Sequence, residues 1–479
     1  MARRAGIAKA AITSGLLTER EREAAIMAAE RLIVAGEPDE AMRLCNDVLN
    51  EDPDYVPALF TAGRIMMKVE RFGLAYNLNK RCISLMPQEP ATWNNTGMCA
   101  AAIEGRLEEA EKMLRKSLKI DPSNKAALNN MALVCVNSGD PKSAIAFAEQ
   151  SFKQDDDQPE VWESWGYANL MLGNFDKGWD GYERSVGYSK YRKNVAYHKE
   201  PKWAGETGGK LVVRGEQGIG DEISAASIIP DAMQDNEITF ECDRRLEGLF
   251  KRSFPDLEIH GTRFDKKASW TEGRSWDWHA LLCSLAWKYR RSKQSFPGKP
   301  FLIPDPERVE QWKLLLDRLP GLKIGLAWTG GLRNTFKGRR SLSLDTLAPI
   351  LTTPGCSFVS LQYRDPTSEI AEAEKRHGVK IHHWARAAQA QDYDETAALV
   401  AGLDLVISVT TAAVDCAGAL GKECWTLVPS KPHWRFLMEG DSMPWYQSVR
   451  IFRQRGSDWG RTVAEVAHNL KERASLTSS

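Results

Sequence analysis

A recurring spacing of 34 to 35 residues most constrains what the first 190 residues of this sequence can fold into. Three series of mostly small residues follow this spacing: Gly63, Gly97, Ala132 and Gly166; Gly36, Glu70, Gly105, Gly139 and Gly173; and Ala41, Ala75, Ala110, Ala144 and Gly178. Small residues let two helices cross closely, and glycine can end a helix in a left-handed conformation. The spacing therefore predicts a stack of antiparallel helix pairs.

Helix pairs with this period are typical of tetratricopeptide repeats, of which we predict about five over residues 22–190. Trp93 with Gly97, and Trp162 with Gly166, carry the expected aromatic residue and glycine. Residues 1–21 precede the array as a leader or short helix. Such an array forms a curved platform that binds a peptide, a protein or a second copy of itself. A purely structural arm that orients the second half of the chain is the alternative.

The composition is that of an ordinary globular protein, and 479 residues are enough for about two or three domains. Lysine plus arginine and aspartate plus glutamate each number 64, which argues against nucleic acid or a membrane surface as the main partner. The nine cysteines form no C-x-x-C pair, as expected in a reducing compartment. No segment approaches the roughly 20 apolar residues of a membrane span, so we predict a cytoplasmic protein.

The pattern changes after a basic and aromatic linker at residues 191–209. Strand-like runs at 211–214, 238–242 and 257–260 alternate with helical runs at 222–234 and 244–253. This alternation predicts a parallel sheet covered by helices on both faces. We place this first α/β lobe at residues 210–306 and expect its tryptophan-rich end, residues 263–305, to be irregular.

A glycine turn follows the first of these strands. Gly215, Gly218 and Gly220 lie between the strand and a helix that begins near Asp221. A strand, a glycine turn and a helix together point backbone N–H groups at an anionic ligand, and Gly218 and Gly220 would let it approach the backbone. The glycine order differs from the dinucleotide fingerprint, although Glu241 and Asp243 lie where a ribose-binding acid would fall. A turn that merely packs helix on strand is the alternative.

The βα pattern resumes in a second lobe at residues 307–479, with strands predicted at 323–328, 357–362, 404–409 and 423–428. Ligands of such sheets bind beyond the carboxyl ends of the strands. After the first strand come Thr329 and Gly330, followed by a set of four cations: Arg333, Lys337, Arg339 and Arg340. Cations behind a glycine turn suit a diphosphate. A solvated basic loop is the alternative.

Candidate ligand-binding residues, most of them polar, also follow the other three strands of the second lobe. These candidates for donor and phosphate binding are Gln362, Tyr363, Thr410, Thr411, Ala412, Asp415, Trp434 and Arg435. The two threonines either cap the following helix or share its start with a phosphate. Asp392-Tyr393-Asp394 matches a metal-binding D-x-D pattern, but it directly precedes a helical run and is better interpreted as a helix cap. We predict no metal.

Several motifs together resemble a known family. They include Arg214-Gly215-Glu216-Gln217-Gly218-Ile219-Gly220-Asp221, Gly325-Leu326-Ala327-Trp328, Arg340-Ser341-Leu342 and Ala417-Gly418-Ala419-Leu420-Gly421-Lys422. The chain resembles bacterial and phage tetratricopeptide proteins whose C-terminal half is a heptosyltransferase-like glycosyltransferase, related to glycosyltransferase family nine. The resemblance covers nearly the whole chain. It implies an α-solenoid followed by a GT-B module of two Rossmann-like lobes.

The resemblance also implies a function. No cofactor is expected. A nucleotide-diphosphate sugar, as co-substrate, would be held mainly by the C-terminal lobe, and its sugar would pass to a hydroxyl of a glycan or protein without a metal and with inversion. Asp221 stands where heptosyltransferases have their proposed general base. Thr410 and Asp415 stand where the family usually has an aspartate and a histidine. This difference keeps open an alternative: a non-catalytic scaffold that binds partners through its repeats and carries a degenerate GT-B domain.

Overall fold

The computed structural model describes residues 17–188, 192, 199–265, 267–331, 337–388, 391–456 and 458–477. Most of the predicted leader, part of the predicted linker and the predicted phosphate ligand Arg333 lie outside these ranges. The chain divides into two compact units. The first comprises Met1–Ser138 and Ala146–Asp156, and the second comprises Gly139–Ile145 and Asp157–Ser479.

The predicted helical repeats are confirmed. Within the described residues the array consists of ten helices: α1 (Glu19–Ala35), α2 (Pro38–Glu51), α3 (Val56–Lys68), α4 (Phe72–Leu85), α5 (Pro90–Ala101), α6 (Leu107–Ile120), α7 (Lys125–Ser138), α8 (Pro141–Phe152), α9 (Pro159–Met171) and α10 (Phe175–Arg184). Residues up to Asp156, apart from 139–145, belong to the first unit, whereas α9 and α10 belong to the second. The division between the two units along the chain therefore falls inside the predicted array.

The repeated small residues have the two roles that their spacing predicts. The positions from Gly36 to Gly173 in the second series all have a positive φ, between 59° and 85°, and Glu70 takes this conformation although it is not a glycine. At Gly166 a Cβ would lie 2.6 Å from the backbone nitrogen of Tyr182, so α9 and α10 can cross this closely only at a glycine. The spacing thus marks both the turns and the helix crossings.

The second unit contains a parallel four-stranded sheet with the order β3-β2-β1-β4. The elements of this first lobe are β1 (Lys210–Arg214), α11 (Ile219–Ala226), α12 (Ile229–Asp235), β2 (Glu237–Glu241), α13 (Glu247–Ser253), β3 (Glu258–His260), β4 (Trp278–Leu281) and α14 (Ala286–Tyr289). The prediction of one helix over 222–234 is wrong, because Pro230 lacks the N–H that a continuous helix needs. The prediction that 263–305 is irregular is also wrong, since β4 pairs with β1.

A seven-stranded sheet with the order β10-β11-β9-β8-β5-β6-β7 forms the second lobe, and within it only the β10–β11 pair is antiparallel. Its elements are α15 (Pro306–Leu316), β5 (Leu322–Ala327), α16 (Ala348–Leu351), β6 (Cys356–Ser360), α17 (Thr367–His377), β7 (Ile381–His382), α18 (Ala385–Ala388), α19 (Tyr393–Gly402), β8 (Leu405–Val409), α20 (Ala412–Ala419), β9 (Cys424–Val428), β10 (Ser442–Met443), β11 (Tyr446–Arg453) and α21 (Gly460–Thr477). The predicted α/β region with parallel sheets is therefore confirmed.

In each sheet the two strands that follow the first strand, β1 or β5, are added on one side of it, and the next strand is added on its other side. Doubly wound sheets bind their ligands at such a switch point, beyond the carboxyl ends of the strands. The strands of the second lobe are held by a continuous apolar core that includes Trp328, Phe358, Ile407 and Leu470. This core fixes the loops that follow β5 and β8, which carry most of the predicted site residues.

Candidate functional site

A cleft of about 620 Å³ opens between the two lobes of the second unit. This volume falls in the range of about 300–1,000 Å³ that is usual for small-molecule and cofactor sites. The described residues that line it are Gln217, Gly218, Ile219, Gly220, Asp221, Arg245, Ala327, Gly331, Arg340, Leu361, Gln362, Tyr363, Gln391, Tyr393, Thr396, Thr411, Ala412, Ala413 and Arg435. Of the predicted site residues, sixteen lie in the described ranges, and nine of these line the cleft, contributed by both lobes.

Two helix starts meet at this cleft. Helix α11 begins after Gly218 in the first lobe, and α20 begins after Thr411 in the second. Gly220 lies so close to α20 that a Cβ on it would come within 3.0 Å of the Asp415 carboxylate and 3.2 Å from Cα of Ala412. A side chain at Gly220 would therefore push the two helices apart. The convergence places two positive helix ends beside one cleft.

Asp221 occupies the third position of α11, where its Oδ2 accepts a hydrogen bond from the N–H of Gly218 at 3.2 Å. Its Oδ1 lies 3.4 Å from Nη2 of Arg435, and 24% of its side chain is exposed. Burial raises the pKa of Asp221, but Arg435, His433, the Gly218 N–H and Arg340 outweigh that effect and hold the pKa below its ordinary value. The group is therefore a carboxylate at neutral pH, partly open to the cleft.

Asp415 joins the lobes instead of facing the cleft. It is fully buried, and its Oδ1 accepts hydrogen bonds from Oγ of Ser224 at 2.8 Å and from Nη1 of Arg435 at 3.1 Å. Burial is the main reason that the pKa of Asp415 rises to about 6. Its predicted contact with a donor is not supported by this position, because the surrounding helices and Arg435 enclose the carboxylate. It holds Arg435 in place.

Arg435 is the cation that both lobes share. Its Nη1 also donates to the carbonyl oxygen of Gly220 at 3.0 Å and to Oγ of Ser224 at 2.8 Å, while Nη2 faces Asp221. The side chain is 11% exposed and lines the cleft. The predicted position of Arg435 beside the ligand cleft thus agrees with the structure, although two carboxylates already flank its guanidinium.

Arg340 is fixed at the cleft by Thr410. Its Nε donates to Oγ1 of Thr410 at 3.1 Å, and its Nη2 donates to the Thr410 carbonyl oxygen. Lys337 and Arg339 lie on the same short 3-10 turn, Lys337–Arg340, but are not among the described lining residues. The four predicted cations therefore do not act as one set: Arg340 alone among the three that the structure describes lines the cleft.

Thr411 caps α20, since its side chain accepts a hydrogen bond from the N–H of Ala413 at 3.2 Å. The capping interpretation is confirmed for Thr411 alone, since the Thr410 hydroxyl accepts from Arg340. Thr411 and Ala412 also line the cleft. Gln362 accepts a long hydrogen bond of 3.4 Å from the N–H of Thr329. Tyr363 is 44% exposed, and its hydroxyl reaches the carbonyl oxygen of Gly331.

Three further predicted residues lie behind the lining. Thr329 and Gly330 follow β5, and the N–H of Gly330 donates to Oγ of Ser341 at 3.2 Å. Trp434 does not lie at the rim: it is 5% exposed and packs edge-on against Trp179 of α10, with ring centroids 5.3 Å apart. Its predicted role as a rim aromatic is wrong, because the last repeat helix covers it.

Sequence reasoning missed several residues at this site. Arg245 lines the cleft from the first lobe and forms a two-point ion pair with Asp243 at 3.1 and 2.8 Å. It follows β2 directly, so the rule that ligands lie beyond strand ends would have found it. No sequence pattern marks Ser224, because its partner Asp415 lies 191 positions away in the chain.

Glu241 and Asp243, which lie where a ribose-binding acid would fall, both form ion pairs with arginines of the first lobe. Glu241 is fully buried and pairs with Nε of Arg214 at 3.0 Å, while Asp243 holds Arg245. In the D-x-D motif, Asp392 caps α19 by accepting a hydrogen bond from the N–H of Asp394 at 3.0 Å. The helix-cap interpretation of that motif is therefore confirmed.

Comparison with known proteins finds similarity in both regions of the chain. A family model for the tetratricopeptide repeat matches residues 101–164. Protein FlbA of Caulobacter vibrioides is 30% identical over 443 residues, which cover 88% of this chain and 73% of that protein. The tetratricopeptide repeat-containing protein trd-1 of Caenorhabditis elegans is 24% identical over 128 residues, or 27% of this chain and 16% of that protein.

Solved structures match about a third of the chain. A thermophilic tetratricopeptide protein of Thermus thermophilus is 20% identical with a TM-score of 0.32, and the match covers 34% of this chain and 89% of that one. MamA of Desulfovibrio magneticus is 15% identical with a TM-score of 0.30, covering 34% and 90%. Within the part of this chain that the structure describes, none of the helices has the length and apolarity that crossing a membrane requires.

Proposed function

The chain belongs to the family of the Caulobacter vibrioides protein FlbA, and for this member we propose that the α/β region is a glycosyltransferase. It transfers a sugar from a nucleotide-diphosphate sugar to a hydroxyl of a glycan or protein acceptor, without a metal and with inversion. The helical repeats bind the acceptor, a partner protein or a second copy of the chain. Two lobes facing across the cleft form the GT-B module that the sequence resembles.

One observation carries this proposal: two helix starts, two partly buried arginines and one partly exposed carboxylate meet at a single cleft. Among the described lining residues, Arg245, Arg340 and Arg435 are the cations and Asp221 is the one carboxylate. Arginines and positive helix ends both favour an anionic group, and arginine matches phosphate geometry with two parallel N–H groups. A nucleotide diphosphate, which combines phosphates with a flat base and a sugar, fits this lining in charge and in size.

The reaction needs a base and a stabilised leaving group. The acceptor oxygen attacks the anomeric carbon and its proton passes to the Asp221 carboxylate, while the bond from that carbon to the diphosphate breaks and the nucleoside diphosphate leaves. A carboxylate of low basicity can take this proton late, when attack has already made the hydroxyl acidic. Arg340, Arg435 and the start of α20 would hold the negative charge that develops on the diphosphate.

Thr410 and Asp415, which differ from the family pattern, support an active enzyme more than a degenerate domain. Thr410 fixes the guanidinium of Arg340, and Asp415 fixes that of Arg435. Each departure therefore places one of the two arginines that the mechanism requires. Fixed cations stabilise a transition state better than mobile ones, because they need no reorganisation as the charge develops.

Replacing Asp221 with asparagine tests the proposal. Asparagine keeps the size of the side chain and an oxygen for the Gly218 N–H but cannot accept the proton, so we expect transfer to fall by roughly 10²–10⁴-fold. Nucleoside-diphosphate binding, followed by thermal shift, should be kept. Asp404→Asn is the matched control: Asp404 accepts from the N–H of Lys323 at the opposite end of β8.

The measurement is sugar transfer and sugar release from a panel of ADP-, GDP-, UDP- and CMP-activated donors. Equal turnover in wild type and Asp221→Asn would remove Asp221 from the mechanism. A wild-type chain that is stabilised by a nucleotide but turns over no donor would instead favour the non-catalytic alternative, in which the cleft only binds and the repeats carry the function.

A further inference from the structure

The glycine turn before Asp221 is held in a strained conformation. Gln217 has a φ of 62°, in the left-handed region, and is one of three non-glycine residues with a positive φ in the described ranges. A side chain with a Cβ disfavours this conformation. Strained backbone persists where the surroundings hold it in place, and it concentrates at functional sites. The contacts that hold Gln217 therefore bear on how Asp221 is placed.

Contacts on both sides of the chain fix this turn. The side-chain amide of Gln217 donates to the hydroxyl of Tyr182, and the backbone carbonyl oxygen of Gln217 accepts from Nη2 of Arg263 at 2.6 Å. The preceding residue, Glu216, is 2% exposed and its carboxylate accepts from Nε of Arg192 and from the N–H of Cys283, each at 3.0 Å. Glu216 and Gln217 are thus each held by contacts with other segments, while Gly218 stays exposed at the cleft.

Tyr182 is the contact that comes from the helical repeats. It lies on α10, the last helix of the array, and is 1% exposed. Its ring packs edge-on against Trp179 with centroids 5.5 Å apart, and the guanidinium of Arg192 lies over the ring at 3.7 Å. These packing contacts involve the ring alone. The hydroxyl can therefore be removed without removing what holds the side chain.

We propose that Tyr182 is a positioning residue for Asp221, which makes the last repeat helix a part of the transfer site. The hydroxyl holds the Gln217 amide, Gln217 sets the direction of the backbone at Gly218, and the Gly218 N–H binds the Asp221 carboxylate. Because α9 and α10 belong to the same compact unit as the two lobes, this chain of contacts lies within one unit. The inference rests on the proposed function, since Asp221 must act for its position to matter.

Tyr182→Phe in the full-length chain tests the inference, with Tyr289→Phe as the matched control. Tyr289 also loses one hydroxyl hydrogen bond, to Oδ2 of Asp235 at 2.8 Å, at a site away from the cleft. We expect Tyr182→Phe to lower kcat for a nucleotide-sugar donor by about tenfold or more, because small misplacements of a reacting group are costly. The KM for the donor and the thermal shift caused by nucleoside diphosphate should stay near wild type, and Tyr289→Phe should leave kcat unchanged.

A measurement that does not depend on turnover distinguishes a failure of this inference from a failure of the proposed function. Hydrogen exchange of the peptide covering residues 215–221 should rise in Tyr182→Phe and stay at the wild-type level in Tyr289→Phe, since the turn loses one of its fixed points. A wild-type chain that turns over no donor would refute the proposed function. Unchanged exchange of this peptide in Tyr182→Phe would overturn the positioning role itself, whatever the turnover.

Gln217→Gly distinguishes positioning from mere stability. Glycine accepts a positive φ without strain, but this variant also loses the hydrogen bond to the buried Tyr182 hydroxyl, so we expect its melting temperature to stay near that of wild type while kcat falls. A residue with a purely structural role would give the opposite result, with lower stability and unchanged kcat. Equal kcat in Gln217→Gly and wild type would contradict the inference.

Discussion

Replacing Gly220 with alanine tests whether the two helix starts must touch. A Cβ at this position would come within 3.0 Å of the Asp415 carboxylate and 3.2 Å from Cα of Ala412, whereas ordinary contacts begin at 3.4 Å. Either α11 and α20 separate, or Asp415 turns away from Ser224 and Arg435. Both outcomes disturb the buried hydrogen bonds that join the lobes.

The size of the effect follows from opposing contributions. Overpacking a closely packed site costs about 1–3 kcal/mol, and a disturbed buried ion pair adds to this cost. Alanine gains up to about 1 kcal/mol over glycine within a helix. We therefore expect Gly220→Ala to lower the free energy of unfolding of the second unit by about 1–3 kcal/mol, and to weaken nucleotide binding because the helix starts shift.

Gly248→Ala is the matched control in the same unit. Gly248 lies within α13, and a Cβ there would meet only Oδ2 of Asp394, at 4.0 Å. This variant should be as stable as wild type or slightly more stable. Tryptophan fluorescence during denaturation reports on the second unit, since all of the sixteen tryptophans except Trp93 belong to it. Equal unfolding midpoints for the two variants would refute the close contact at Gly220.

Two other predictions concern stability. Glu70→Gly should stabilise the first unit by about 1 kcal/mol, because Glu70 holds a left-handed φ of 59° where the other repeats have glycine; a lower urea midpoint by circular dichroism would contradict this. Burial raises the pKa of Asp415 to about 6, above an ordinary value of about 3.9. The folded state therefore binds the Asp415 proton more tightly than the unfolded state does, and the protein loses stability as pH rises from about 4 to 6. Asp415→Asn should flatten that slope in thermal unfolding, and an identical slope would refute the assignment.

The repeats could be predicted because their signal is local and repeated. A helix end that needs a left-handed residue recurs every 34 to 35 residues, and the backbone keeps this conformation at Glu70 even without a glycine. The boundary between the compact units could not be predicted in the same way. Helices α9 and α10 follow the repeat pattern, but their side chains Trp179 and Tyr182 pack against Trp434 of the second lobe.

Strand β4 could not be predicted from the sequence because a distant partner defines it. Trp278–Leu281 spans four residues, which is too short for a clear alternation, and its pairing partner β1 lies more than sixty residues earlier in the chain. Pro230 marks a helix break in the sequence, although apolar residues continue the helical pattern on either side of it. A short strand such as β4 depends on tertiary pairing more than on local pattern.

At the candidate site, topology predicted which loops meet but not which side chains face the cleft. Asp221 and Arg340 line the same cleft, as expected from residues that follow β1 and β5. Asp415 lies on the correct helix but on its inner face, because α20 packs on α11 there. The direction of a side chain on a short buried helix is set by the neighbouring lobe, and a single sequence does not contain that information.

The central claim is that the cleft binds the diphosphate of a nucleotide sugar through Arg340, Arg435 and the helix starts. Calorimetric titration of the full-length chain with ADP, GDP, UDP and CDP, each beside its monophosphate and in the presence of EDTA, tests it most directly. We predict that one diphosphate binds at least about tenfold more tightly than its monophosphate, and that Arg340→Gln removes most of this difference. Equal affinity for the two, or a difference that survives Arg340→Gln, would contradict the account.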